Sequence, residues 1–139
     1  LKEYDTIVYG GGLYASGIAG VSMITRNYEI LKDKRIIVYT VGVASTDRKE
    51  VFIPIIEKNF SKEMEGNITF FHLRGSLDFK KLGLVHKSMM AMLKVVILKK
   101  NANELSDDDK QLLETYGGKV DFVDKNTLGP LFLFLREGN

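Results

Sequence analysis

Cysteine is missing from the sequence. Its absence excludes disulfides, iron–sulfur clusters, CxxC redox chemistry and a thiol nucleophile. Histidine is nearly as scarce: His72 and His86 stand far apart and cannot supply a histidine-rich metal site. No dominant charge exists either, because 20 Lys and Arg face 18 Asp and Glu for a net charge of +2. That balance argues against a nucleic-acid partner, and no basic cluster is interleaved with aromatics as single-strand binding requires. Long hydrophobic runs are lacking too. The nearest candidate, Met89–Leu98, is cut by Lys94 and falls short of the roughly 18 to 20 apolar residues of a membrane span. No signal peptide opens the chain, so a cytoplasmic protein is the default.

What is present fits one globular domain over residues 1–139, with 45% hydrophobic and 27% charged residues and enough length to bury a core. Thr6–Tyr9 reads as a buried strand, and Ile18 to Leu31 as a helix, with Ile18, Val21, Ile24, Tyr28 and Leu31 on one face. Ile36 to Val43 is an apolar run suited to a central strand buried on both sides. Asp47 and Glu50 suggest a capping box for a helix to about Phe60, in which Pro54 predicts a kink or a late start. Gly66-Asn67 reads as a turn before a third strand, Ile68–Leu73.

The pattern then changes. A helix from Leu82 carries Val85, Met89, Met92, Leu93, Val96 and Ile97 in one stripe, and Ser106 caps a short helix with Asp107–Asp109 in its first turn. Gly117-Gly118 stops that helix, Lys119–Asp124 alternates like a strand, and Pro130 suits the first turn of a last helix, Thr127 to Arg136. The β-α-β-α-β order with later additions implies a doubly wound parallel sheet in a three-layer α/β/α arrangement. Three full strands are few, and the chain opens at Leu1 without Met. Both suggest that a first β-α-β unit is missing upstream.

The stretch "YDTIVYGGGLYASGI" (Tyr4 to Ile18) carries the main functional signal. A glycine-rich turn at the carboxyl end of a parallel strand is a usual ligand position in α/β proteins. As a motif it is weak. Gly10-x-Gly12-x-x-Ala15 matches only the relaxed dinucleotide fingerprint, and no Lys-Ser/Thr pair makes a Walker A loop.

Together with "IIVYTVGVAS", "FFHLRGSLDFKKLGLVHKSMMAML" and "VDFVD", this stretch resembles the flavodoxin-domain family. Within the family it looks like the long-chain branch that includes menaquinone-dependent protoporphyrinogen oxidase. The resemblance implies a flavodoxin-like sheet whose last strand is split into Ile68–Leu73 and Lys119–Asp124, with residues 79–118 as a helical insertion. It also implies FMN as cofactor. The family's flavin-flanking loops map onto Gly10, Gly11, Gly12, Leu13, Tyr14 and Ala15, and onto Val41, Gly42, Val43 and Ala44. The phosphate loop has no match in this sequence. Losing three charge-assisted hydrogen bonds at roughly 1.5–3 kcal/mol each would weaken FMN binding by about 10³-fold or more.

The implied activity is an oxidoreductase passing electrons between a bulky porphyrinogen- or quinone-like substrate and an acceptor. No catalytic side chain or metal ligand is named. A flavodoxin-type electron carrier is the alternative, although a sequence pI of 8.7 differs from the acidity usual in such carriers. A cofactor-free interaction domain is a further one. Tyr14 reads either as a ring-stacking residue or as loop cover. Met89, Met90 and Met92 read either as a substrate-lining cluster or, more ordinarily, as core. The lysines around them suit a solvated face, with a peripheral membrane contact through the insertion as the sharper reading. A redox partner and a homo-oligomer complete the partner expectations.

Overall fold

The computed structural model describes residues 1–138. In chain order the first elements are β1 (Thr6–Tyr14), β2 (Gly17–Ile18), α1 (Ser22–Thr25), α2 (Tyr28–Leu31), β3 (Arg35–Gly42), α3 (Ile53–Asn59), α4 (Lys62–Asn67) and β4 (Ile68–Arg74). There follow β5 (Ser76–Asp78), α5 (Leu84–Leu98), α6 (Asp107–Thr115), β6 (Lys119–Asp121) and α7 (Gly129–Arg136). The chain divides into two compact units. One holds Leu1–Gly42, Thr46–Arg74 and residues 124–138; the other holds Val43–Ser45 and Gly75–Val123.

The first unit is built on a sheet of order β2-β1-β3-β4, in which β1, β3 and β4 are parallel. This is the expected arrangement of the three apolar runs, and the architecture is a flavodoxin-like α/β fold. Register follows side-chain parity. Ile7, Ile36 and Ile68 align across the sheet, as do Tyr9, Val38 and Phe70. That face packs on Ile24, Tyr28, Leu31, Phe52 and Phe60. Burying a side chain such as Leu31, 0% exposed, contributes about 1.5–3 kcal/mol. On the other face α7 meets Arg35 and Phe71. The Arg35 guanidinium sits 4.1 Å from the Phe134 ring centroid and donates to the carbonyls of Phe134 and Leu135. A cation thus satisfies carbonyls in the last turn of the helix, where the dipole favours positive charge.

Several local expectations change. The helix predicted from Ile18 to Leu31 is a strand residue followed by two single-turn helices. Ala15 and Ser16 adopt φ of 47° and 63° and turn the chain back, so Gly17–Ile18 pairs with β1 as β2. Asn27 leaves helical geometry (φ −105°, ψ 12°) and separates α1 from α2, its Nδ2 donating to the Met23 carbonyl at 2.8 Å. The apolar spacing still marks the inner side: Ile18, Ile24, Tyr28 and Leu31 are all buried.

The helix expected after Asp47 starts late. A 3-10 turn at Lys49–Val51 has Arg48 at its N-cap, and Glu50 pairs with Arg48 at 3.0 Å in place of the capping box. Pro54 then sits in the first turn of α3. Gly66-Asn67 is no turn, because α4 runs directly into β4 after Ser61 caps its start by accepting from the Met64 N–H.

In the second unit β5 and β6 pair antiparallel, with Leu77 opposite Val120. Lys119–Asp124 therefore does not extend the third strand as expected; its strand portion, Lys119–Asp121, pairs with Ser76–Asp78. Ser106 caps α6 as read from the sequence. Its hydroxyl accepts from the Asp109 N–H at 3.1 Å, and Asp109 Oδ2 accepts from the Ser106 N–H at 3.0 Å and from Lys100 Nζ at 2.8 Å. Burial pushes the Asp109 carboxyl up, but these donors outweigh it and hold the pKa below its ordinary value. Gly117, at φ 83°, ends the helix region.

The helix α5 forms where expected, but its stripe is not core. Ile97 is buried and Lys94 Nζ lies 4.4 Å from the Tyr116 ring centroid, so this side packs inward. Val85, Met89, Met92, Leu93 and Val96 remain exposed. The reading as core is corrected for Met89 and Met92, while Met90 is half-buried on the inner side. Among the described residues no helix is long and apolar enough to cross a membrane, and no cluster of His, Asp and Glu could hold a metal.

Candidate functional site

The three glycines lie inside β1, not in a loop. Gly10 pairs with Tyr39, Gly11 with Thr40 and Gly12 with Val41 in the parallel ladder. The expected loop of Gly10, Gly11, Gly12, Leu13, Tyr14 and Ala15 is corrected to a strand through Tyr14 and a tight hairpin at Ala15-Ser16. Two successive residues at positive φ give the backbone twist that suits a two-residue hairpin. The turn is fastened from outside. Lys58 Nζ donates to the Ala15 carbonyl at 2.9 Å and Asn59 Nδ2 to the Ser16 carbonyl at 2.8 Å, while Asn59 Oδ1 accepts from the Ile18 N–H at 3.2 Å.

The three glycines differ in what a side chain would meet. A Cβ on Gly10 would lie 2.1 Å from Tyr39 Cζ, because that ring lies across it. A Cβ on Gly11 would meet Ile18 Cγ2 at 2.6 Å and the Ala19 carbonyl oxygen at 2.8 Å on the opposite, core-facing side. A Cβ on Gly12 would meet nothing within 4 Å. The backbone around it is ordered all the same, since the Gly12 carbonyl accepts from the Ala19 N–H at 2.9 Å.

Strand alternation puts Gly10, Gly12 and Tyr14 on one face and Gly11 and Leu13 on the other. Leu13 packs against the core and against Gly42, where a Cβ would lie 3.0 Å from Leu13 Cδ1. Tyr14 is 46% exposed. The open face of β1 near its carboxyl end is thus a bare peptide surface at Gly12, next to Val41, with Tyr39 along one side and Tyr14 beyond it. Val41 and Gly42 close β3 beside this surface. Val43 and Ala44 belong to the second unit, where the neighbouring Ser45 N–H donates to Asp108 Oδ1 at 3.1 Å.

The family model described as flavodoxin domain matches residues 1–106. The chain belongs to the flavodoxin-domain family. No curated protein and no solved structure matches it. Flavodoxin domains generally bind FMN, a flat ring carrying a phosphate tail. At Gly12 the space a Cβ would take is open, and Tyr39 and Tyr14 share that face of the sheet.

Two features of this flavodoxin domain escaped sequence reasoning. Tyr39 borders the surface only because the β1–β3 register sets it opposite Gly10, and no local pattern announces that pairing. His72 stacks on Phe52 with ring centroids 3.7 Å apart and shares a 2.7 Å hydrogen bond between its Nδ1 and Thr40 Oγ1. Burial lowers its pKa. These contacts assign His72 to holding β3, β4 and Phe52 together.

Proposed function

We propose that this flavodoxin domain binds FMN with the isoalloxazine ring against Gly12 and Val41, and transfers electrons between a bulky porphyrinogen- or quinone-like substrate and an acceptor. The branch containing menaquinone-dependent protoporphyrinogen oxidase is the one it resembles. The observation that carries the reading is the unobstructed space at Gly12, since the other two glycines are explained by packing. The flavin would supply the redox chemistry. The chain's part is to present a flat backbone, with Tyr14 covering the ring and Tyr39 limiting its slide along β1.

Proposed function is tested by titrating the full chain with FMN and following quenching of flavin fluorescence, then by assaying oxidation of a porphyrinogen with a quinone acceptor. Saturable binding with turnover supports the reading. Binding without turnover on either substrate class would favour an electron carrier. Failure to bind FMN at all would overturn the proposal and leave an interaction domain.

A further inference from the structure

We propose that the outer face of α5 docks on an anionic lipid surface. Val85, Met92 and Val96 are 68%, 70% and 52% exposed. With Met89 they recur at the i, i+4, i+7, i+11 spacing of a single helix face. Beside them the Ser88 hydroxyl donates to the Leu84 carbonyl at 3.0 Å and is satisfied within the helix.

Charge distribution selects the occupant. Between Asp78 and Glu104 the sequence has no acidic residue, but it has Lys80, Lys81, Lys87, Lys94, Lys99 and Lys100. Lys94 lies over Tyr116 and Lys100 pairs with Asp109. Lys80, Lys81 and Lys99 are exposed near the two ends of α5, roughly 22 Å apart at 1.5 Å per residue. A second copy laid antiparallel would set Lys80 and Lys81 against Lys99, and a parallel copy would set like against like. Either pairing brings cations together. The face is also made of Val, Met and Leu without the Trp, Tyr or Arg anchors that dominate protein interfaces. Apolar residues between cationic ends match an acyl boundary under anionic headgroups. The helix has 15 residues, so it would lie in the interface and not span it.

The proposal needs no flavin and stands apart from the redox reading. Its test is co-sedimentation of the full chain with mixed phosphatidylglycerol–phosphatidylcholine vesicles and with pure phosphatidylcholine vesicles, at low and high salt. Binding to the mixed vesicles alone, weakened by salt, is expected. Replacing Lys80, Lys81 and Lys99 together by Gln should weaken it about a hundredfold, at about 1 kcal/mol per lysine. Met92→Ser with Val96→Ser should weaken it about tenfold or more; circular dichroism confirms that both variants fold. No binding to mixed vesicles, equal binding to neutral ones, or indifference to both variants would overturn the proposal. So would a dimer in sedimentation velocity that Met92→Glu disperses while vesicles are ignored, an outcome that assigns the face to a second copy.

Discussion

Replacing Gly12 by Val is the sharpest perturbation of the proposed flavin surface. Nothing lies within 4 Å of the position its Cβ would take, so the new side chain meets no overpacking. Glycine in a strand interior is destabilising by roughly 0.5–1 kcal/mol, and valine favours strands, so the melting temperature should hold or rise slightly. Flavin affinity should move the other way. An isopropyl group on the bare peptide lifts a flat ring away from it, and about ten heavy-atom contacts at roughly 0.1–0.2 kcal/mol each are lost. The total of about 1–2 kcal/mol corresponds to a Kd raised about five- to thirtyfold.

Gly11→Val must be read differently. Its Cβ would lie 2.8 Å from the Ala19 carbonyl oxygen and 2.6 Å from Ile18 Cγ2, a clash that costs about 1–3 kcal/mol of stability. Loss of flavin from that variant would report a damaged β1–β2 hairpin. The assay is therefore a flavin titration paired with a thermal melt for Gly12→Val, Gly11→Val and Tyr14→Ala. Unchanged affinity in both Gly12→Val and Tyr14→Ala, with normal melting, would refute the placement of the ring.

Three further outcomes test the fold. Leu31→Ala, at a fully buried core position, should lower stability by about 2–5 kcal/mol in denaturant unfolding. Ser106→Ala removes the N-cap of α6 and should lower stability by about 1 kcal/mol, read as a loss of hydrogen-exchange protection in residues 107–115. His72 has a folded pKa depressed below its ordinary 6.5 by burial, so the unfolded chain binds more protons between the two values. Its contribution to stability should be complete above about pH 6.5 and lost as pH falls through the folded value. His72→Gln should flatten that acid limb in melts recorded across pH.

The parallel sheet was legible in the sequence because each strand announces itself locally. Ile36–Val38 is apolar without alternation, as a strand covered on both faces must be. The start of α6 at Ser106 was equally plain, whereas the cap at Ser61 was not read and the one expected at Asp47 does not form. The stretch between Ile18 and Leu31 was not. Its apolar spacing identifies which residues face the core, but spacing is indifferent to whether the backbone between them is one helix or two separated turns. The break depends on Gly20 at φ 71° and on Asn27, and neither outweighs a helical pattern in a window average. The partner of Lys119–Asp121 was hidden for another reason. A three-residue strand carries too few side chains to specify its neighbour, so pairing with Ser76–Asp78 is decided by the chain path between them.

The glycine triplet shows where such reading stops. Three consecutive identical residues suggest one shared purpose, and a glycine-rich loop supplies one. In the sheet the purposes separate, because alternate residues face opposite sides and each side brings a different neighbour. Gly11 yields to the hairpin return at Ile18 and Ala19, a contact made within a few residues. Gly10 yields to the Tyr39 ring, which is remote in sequence and arrives only through the β1–β3 register. Gly12 yields to nothing in the chain. A residue without a side chain at an ordered position with no internal claimant is the kind of vacancy that packing does not explain, and that moves the weight of the flavin proposal from the triplet as a motif to Gly12 alone.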